Sequence, residues 1–515
     1  MGREGLRGVK KSVVAGLVLA GLSLAACGTR LPDSAFVSTG QQVATDQSAS
    51  GDGSVTDGSA AVDGSATGTG GVTDGSTTGG TTGGGTTGGT TGGSTGGTTG
   101  GSTGGSTGGA SGPNQASDVG VTASTITIGN ITAENGVLGD AFAPAARGMR
   151  AWAAAMNAKG GINGRQVILK TCDDGEVRQK TLECAKRLVE QEKVFAIVGA
   201  NTRAMGGAAQ YLNDKGIPVI GMPITNSYYR YPHFFSEYPT TGYARDGKTV
   251  GYKGNLMFTT AIYRWFKQNL KVTKAAVFTY DIPESKQAGQ AFADGLKLEG
   301  FTTRLYTVSF AAPSFQTAVA SMKQDGTQII FDSMDDGANR KLCDAMQGAQ
   351  FKVAAKVSTV VAMGDAVGTA YNDTCRNSVF IPGSTLPYTA TSNPEVKAFR
   401  DAYARYQPGK PVHEWALEAW MQGQLVAEAL THMGASPTRK GLEGYFNGLT
   451  QWKGHGVLTG LDWKPINWNV KTIADCTAVS RWLDSKGGWV PATQRFPYCY
   501  PDAKVYSAVA LEQGN

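Results

Sequence analysis

Ile126-Thr127-Ile128-Gly129-Asn130-Ile131-Thr132 is a run of strand length, and the segment from Phe142 to Ala158 that follows it carries apolar residues at helical spacing. The helix runs into Lys159-Gly160-Gly161-Ile162-Asn163-Gly164-Arg165, where glycines make a tight turn, and Gln166–Thr171 resumes as a strand. Strand, helix, turn and strand in this order form the unit from which a parallel sheet is built, because parallel neighbours need a crossover helix. Reading outward, strands are predicted at Val194–Gly199 and Pro218–Gly221, with helices at Arg178–Gln191 and Ala204–Asp214. The fold class is α/β.

A second series begins at Ala275–Tyr280 and continues through Arg304–Val308, Gln328–Phe331, Val357–Val361 and Ser378–Ile381, with helices between. Two sheets imply two Rossmann-like lobes and a cleft. Val396–Tyr406 and the apolar-periodic run Trp415–His432 read as helices, and the end from Trp452 is richer in Trp, Gly and short strand-like pieces. The chain is therefore expected to cross between lobes more than once.

Toward the N-terminus the texture changes. The chain has 515 residues, 72 of them glycine, and from about Phe36 to Ser117 Gly, Thr, Ser and Asp dominate. Such a segment has too little to bury and reads as a disordered tether. A flexible coil of that length spans roughly 50 Å. Within it, Gly92-Gly93-Ser94-Thr95-Gly96 matches the hydrolase elbow pattern, but no strand precedes it and no helix follows. Before the tether, Arg3, Arg7, Lys10 and Lys11 precede an uncharged apolar stretch from Val13 to Ala26, which reads as an export signal and is short for a membrane span. It closes on Leu24-Ala25-Ala26-Cys27-Gly28, similar to the lipobox of bacterial lipoproteins, with Cys27 as the residue that takes the lipid. The alternative is an ordinary signal peptide with a chance cysteine.

Net charge is +6 for the whole chain, and 43 basic residues against 40 acidic ones remain after the first 26 are removed. That balance does not ask for nucleic acid. Apart from Cys27, six cysteines remain, an even set suited to an oxidising compartment. Six allow fifteen pairings; sequential pairs, Cys172 with Cys184, Cys343 with Cys375 and Cys476 with Cys499, each close a short local loop and are favoured. No C-x-x-C occurs, and the histidines are only His233, His413, His432 and His455, so neither a metal nor a cofactor is expected.

Several stretches carry a resemblance. Ala145-Ala146-Arg147-Gly148, the turn from Met156 to Arg165 with Asp173-Asp174 after the next strand, Phe195-Ala196-Ile197-Val198-Gly199, Gly216-Ile217-Pro218-Val219-Ile220, Asp294-Gly295-Leu296-Lys297 and Gly460-Leu461-Asp462-Trp463 occur in that order. From about Val121 to Trp489 the chain resembles the type I periplasmic-binding fold, specifically the branched-chain amino acid (Leu/Ile/Val) binding group of ABC transporter solute-binding proteins. The sequence thus divides, as an expectation, into a signal peptide at 1–26, a lipid-anchored linker at 27–119 and a binding domain at 120–515, and the resemblance implies how the last is split into lobes. Lobe one would take about 121–255 plus 386–460, and lobe two about 256–385 plus 461–515. It also implies a small-molecule solute and permease subunits of an ABC importer as partners, the membrane being reached through the N-terminal lipid.

Ligands of open parallel sheets bind beyond the carboxyl ends of strands. The candidates in lobe one are Leu138 as an apolar lid, Thr202 and Arg203 after the third strand, and Ile224, Thr225 and Asn226 after the fourth. Arg203 either clamps a carboxylate, projects into solvent or pairs with Asp214. In lobe two the corresponding loops offer Glu284, Asp335 and Asp365. Branched-chain amino acid binders usually show tyrosine in the first two of these loops and a glutamate for the ligand ammonium in the third. Here those positions fall near Glu284, near Met334 or Asp335, and near Met363, which puts leucine as ligand in doubt. Asp335-Asp336 reads equally as a helix cap. The aromatic cluster Tyr228-Tyr229-Arg230-Tyr231 with Phe234-Phe235 either walls the pocket or packs the lobe edge.

Signal, tether, two lobes and a cleft without an evident catalytic set point to an extracytoplasmic, lipid-anchored solute-binding protein that is not an enzyme. Its solute is expected to be an amino acid or a related amine, amide or carboxylate. A ligand-sensing module for a membrane receptor is the alternative, and a secreted enzyme on the same scaffold a weaker one, since no nucleophile–base pair, zinc motif or phosphate loop is recognisable.

Overall fold

The computed structural model describes residues 112–136, 138–237, 244–463, 466–493 and 495–509. The expected signal peptide, Cys27 and most of the linker lie outside the described residues.

The first sheet contains β1 (Thr125–Thr132), β2 (Gln166–Asp173), β3 (Ala196–Ala200), β4 (Val219–Gly221) and β5 (Phe234–Phe235), connected by α1 (Gly139–Ala158), α2 (Arg178–Lys186), α3 (Ala209–Asp214) and α4 (Ser227–Arg230). Its order is β2-β1-β3-β4-β5, parallel throughout. The second lobe follows as β6 (Asn255–Thr259), α5 (Ala261–Leu270), β7 (Lys274–Tyr280), α6 (Pro283–Leu298), β8 (Thr302–Val308), α7 (Gln316–Asp325), β9 (Ile329–Asp332), α8 (Asp336–Gly348), β10 (Ala355–Val357), α9 (Val367–Ala370) and β11 (Val379–Gly383). The chain then returns to the first lobe with α10 (Pro394–Tyr406), α11 (Glu414–Met433) and α12 (Arg439–Gly448), and finishes as β12 (Thr472–Leu483), β13 (Gly488–Pro491) and β14 (Tyr498–Val509). The second sheet has the order β6-β14-β12-β11-β10-β9-β7-β8, with β13 on β12. The strands from β11 to β8 are parallel, and β12, β13, β14 and β6 add antiparallel pairs. Three connections therefore cross between the lobes.

α1 and α11 pack closely because each supplies a glycine where the other bulges. A Cβ on Gly148 would stand 2.2 Å from the Ala416 carbonyl oxygen, and Gly423 faces the Trp152 indole, 2.5 Å from where its Cβ would lie. Phe142 and Trp415 extend this contact, their rings 4.8 Å apart between centroids.

In the second lobe Lys356 and Asp332 are fully buried and joined at 2.9 Å. Ser358 Oγ donates to the other Asp332 oxygen at 2.7 Å, and Asn339 bonds Lys356, Ser358 and the Met334 carbonyl. A buried pair persists when such bonds replace its lost water. This network explains a difference from the predicted strand at Val357–Val361. Pairing stops at Val357, Ser358 turns toward Asp332, and Val360–Ala362 forms a 3-10 turn.

A second difference lies before α3. The helix predicted from Ala204 starts at Ala209, preceded by a 3-10 turn at Met205–Gly207, since Gly207 lies against the Arg178 backbone. The C-terminal strands β12 and β14, 12 residues each, are longer than the short pieces expected. Disulfides join Cys172 to Cys184, Cys343 to Cys375 and Cys476 to Cys499, tying β2 to α2, α8 to the segment before β11, and β12 to β14. Among the described residues no helix is long and apolar enough to cross a membrane.

Candidate functional site

At the carboxyl end of the first sheet the loops are cross-linked by side chains. Asp173 accepts from the Glu134 and Asn135 N–H groups at 2.9 and 3.3 Å, fastening the loop after β1. Glu176, with a left-handed backbone at φ +63°, accepts from the Leu138 N–H at 2.6 Å and from Arg203 Nε at 3.1 Å. Arg203 therefore pairs with Glu176, a partner not expected from sequence, while Asp214 accepts from Gln210 at 2.6 Å instead. Leu138 caps α1 and packs half-buried against the core. Asp174 accepts from Thr181 Oγ1 at 2.8 Å and from the Thr202 hydroxyl, yet burial outweighs these bonds and raises its carboxyl above the ordinary range. Thr202 also accepts from the Ala204 N–H at 3.0 Å.

Several buried side chains at this edge lack partners, the Tyr228 hydroxyl beside Gly221 among them. Thr225 is 2 % exposed and Asn201 fully buried, and neither the Thr225 hydroxyl nor either polar atom of the Asn201 amide has a hydrogen-bond partner. They follow neighbouring strands β4 and β3. Ile224 and Asn226 flank Thr225, Ile224 half-buried and Asn226 buried just before α4. Asn201 is a position that sequence reasoning did not single out; a buried amide cannot be told from an exposed one by its letter. The aromatic cluster packs the lobe edge: Tyr228 lies edge-on to Phe234 at 5.4 Å, and Phe235 to Phe446 and Trp463 at 5.0 and 5.4 Å.

In the second lobe Asp335 caps α8, accepting from Gly337 N at 2.7 Å and Ala338 N at 3.1 Å, and its other oxygen takes the Tyr280 hydroxyl. Burial, then that carboxylate, pushes the Tyr280 phenol well above its usual range. Asp365 accepts from the Tyr388 hydroxyl at 2.5 Å. Asp281 accepts from the Phe310 N–H at 2.9 Å. Glu284 lies in the first turn of α6, and its side chain is outside what the structure describes. Met334 and Met363 are buried. Among the described residues no group of three or more His, Cys, Asp and Glu is placed to hold a metal ion.

The lobes meet at a hinge built on α11. Two crossing segments pair, Leu386 N–H to the Val457 carbonyl at 2.8 Å and Thr459 N–H to the Ser384 carbonyl at 2.7 Å. The Trp463 indole N–H reaches the Ser236 carbonyl of the remaining crossing at 2.9 Å. Against these, α11 presents Glu414, Glu418 and Gln422 at i, i+4 and i+8, one helix face, all buried. Glu414 accepts from Thr385 Oγ1 at 2.6 Å and the Tyr388 N–H at 2.9 Å, and Gln422 donates to Glu237 at 2.6 Å. Burial pushes the Glu414 carboxyl up to about 7 and that of Glu237 up to about 8. His413 caps α11 through Nδ1, which accepts from the Trp415 N–H at 3.2 Å, so the proton sits on Nε2 and is donated to the Val361 carbonyl at 3.2 Å. Burial depresses its pKa to about 4 and keeps it neutral. The Glu414 N–H donates to the Met363 carbonyl at 3.1 Å, so the loop after β10 is fastened to the start of α11.

Two α/β lobes with three crossings, and polar side chains gathered at the carboxyl ends of the strands, define a two-lobed binding protein. The family described as periplasmic binding protein matches residues 125–501, and the chain belongs to that family. Its members are extracytoplasmic solute-binding proteins. A curated relative, the Leu/Ile/Val-binding protein homolog 2 of Brucella abortus, is 26% identical over 190 residues, 36% of this chain; the chain spans about half (47%) of that relative's length. Among solved structures, a fatty acid ABC transporter substrate-binding protein from Thermomonospora curvata superposes with TM-score 0.57 at 16% identity, over 74% of this chain and 94% of that one. A solute-binding protein of an ABC transporter from Rhodopseudomonas palustris, in complex with 3,4-dihydroxybenzoic acid, gives 0.55 at 17% identity, over 74% and 98%. At such identities the likeness is one of fold.

Proposed function

We propose that this protein is the solute-binding component of an ABC importer, capturing a small polar solute, an amino acid or a related amine, amide or carboxylate, between its lobes. It would present the closed form to the importer's permease subunits, held at the membrane by a lipid on Cys27 and the Gly/Thr/Ser-rich tether. The observation that carries this reading is the pair of unpartnered, buried polar side chains, Thr225 and Asn201, at the carboxyl ends of adjacent strands. Native proteins satisfy nearly all buried polar atoms, so two unpartnered groups side by side at the strand ends call for partners, and a bound solute would supply them. Thr202, Ile224, Asn226 and Leu138 would complete the lobe-one face, with Asp335, Asp365 and Glu284 opposite and Arg203 at the rim. Solute would shift an open–closed equilibrium by gaining contacts to both lobes only when closed.

The test is a thermal-melting screen of the full chain against amino acids, amides, polyamines, and aliphatic and aromatic acids. A compound present at 100 times its Kd stabilises by about 2.7 kcal/mol, a rise of several degrees. The reading expects at least one compound to raise the melting temperature saturably and Thr225→Val to abolish the rise. Silence across the whole panel would count against solute binding.

A further inference from the structure

Asn114–Asp118 fall within the expected linker, yet they lie fastened to lobe one. Asn114 Nδ2 donates to the Asn163 carbonyl at 2.8 Å, the Gln115 N–H to the Ala435 carbonyl at 2.9 Å and Ser117 Oγ to the Pro437 carbonyl at 2.6 Å, while an Asp118 carboxylate oxygen accepts from the Arg439 N–H at 2.7 Å. The residues that receive this segment also finish the hinge helix. Asn163 Nδ2 donates to the Leu430 carbonyl in the last turn of α11 at 3.1 Å. Arg165, 2 % exposed, donates from Nη1 to the Gly434 carbonyl at 3.3 Å and from Nη2 to the Ala435 carbonyl at 2.6 Å and the Gln115 carbonyl at 3.2 Å. The last carbonyls of a helix have no partner within it, and a cation beside them is favoured by the helix dipole. One guanidinium thus completes the end of α11 and holds the incoming chain, and the Ala435 carbonyl takes both Arg165 and Gln115. All this lies at the amino ends of the first sheet, away from the strand ends that carry Asn201 and Thr225: Arg165 directly precedes β2, and Arg439 Nε reaches the carbonyl of Phe195, just before β3, at 2.9 Å.

We propose that Asn114–Asp118 is a strap that couples the tether to the C-terminal end of α11, so that the chain is held by the helix on which the hinge is built and lobe two is left free to move. Every hydrogen bond described for the strap stays within it or joins it to lobe one. The opposite end of α11 carries Glu414, whose carboxyl takes Thr385 and Tyr388 of a crossing segment. A pull along the tether would therefore enter the molecule at the far end of that helix, away from the cleft loops, and closure of lobe two would not have to undo the strap. The proposal goes beyond solute capture and stands apart from it.

A protease that cleaves before aspartate tests this on the full chain, because the expected linker offers Asp52, Asp57, Asp63 and Asp74, and the strap offers Asp118. Brief digestion should leave a product that begins at Asp74, with cleavage before Asp118 at least ~10-fold slower, since the fastened backbone must first open. Asn114→Ala combined with Ser117→Ala removes two side-chain donors, keeps the cleavage site, and should speed that cut about tenfold. Hydrogen exchange on the same variant reads the coupling: the amides of Leu430–Gly434 should quicken several-fold, while those of Ala275–Tyr280 in lobe two keep their rates. Cleavage before Asp118 as fast as before Asp74 in the parent chain overturns the strap. A faster cut in the variant with unchanged exchange at Leu430–Gly434 overturns its hold on α11, as does equal quickening in both lobes. Each of these failures leaves the solute-binding reading to the melting screen.

Discussion

Glu414→Gln isolates the electrostatics of the hinge. The Glu414 side chain is buried, and burial raises its carboxyl from the ordinary 4.5 to about 7 although Thr385 and the Tyr388 N–H both donate to it. Between those two values the folded chain holds a proton that the unfolded chain has released, so folding stability falls as pH rises. Its contribution is whole below about pH 4.5 and is lost by the time pH passes about 7. A difference of two to three pH units at about 1.4 kcal/mol each corresponds to about 3 kcal/mol. Glutamine keeps the geometry without the titration, its oxygen accepting from the Tyr388 N–H and its NH2 donating to Thr385 Oγ1. Urea unfolding at pH 5 and pH 7.5 measures the effect. The variant should match the parent within about 1 kcal/mol at pH 5, the typical net worth of one hydrogen bond, and exceed it by about 3 kcal/mol at pH 7.5. A variant less stable than its parent at pH 7.5, or with the same pH slope, would refute the assignment of a buried, protonated carboxyl to this hinge.

Gly148→Ala should destabilise by about 1–3 kcal/mol or more, because the new methyl meets the Ala416 carbonyl at 2.2 Å. Gly444→Ala in α12, where nothing lies within 4 Å, should instead gain about 0.5–1 kcal/mol from helix propensity; chemical denaturation compares the two. Lys356→Met strands the Asp332 carboxylate in the core and should cost about 3–5 kcal/mol, whereas Lys356→Met with Asp332→Leu should recover much of the loss.

Sequence reading located the ordered lobes well because their strands are short apolar runs between glycine-rich turns. The strands at Gln166, Ala275 and Arg304 begin within two residues of their observed starts, and α11 extends the expected Trp415–His432 by one residue at each end. Long-range polar pairing was not legible. Arg203 finds Glu176 across two loops, and Lys356 finds Asp332 only because β9 and β10 pair in a particular register. The two long final strands were hidden by polar, half-exposed sequence whose partners come from distant parts of the chain. The face of α11 bearing Glu414, Glu418 and Gln422 did leave a signal: three polar residues spaced four apart within an apolar helix. At the strand ends, letters named the loops, but which side chains remain without partners depended on packing. Thr225 and Asp335 both looked polar and available, and only the structure separates an unpartnered hydroxyl from a carboxylate already capping a helix.

Hydrogen exchange with and without the tightest-binding compound of the screen tests whether both lobes hold the solute. Capture between the lobes predicts slowed exchange at Asn201–Asn226 in the first lobe and at Met334–Asp335 and Met363–Asp365 in the second, together with the hinge at Ser384–Tyr388. Protection confined to one lobe, with the hinge unchanged at saturating ligand, would contradict it.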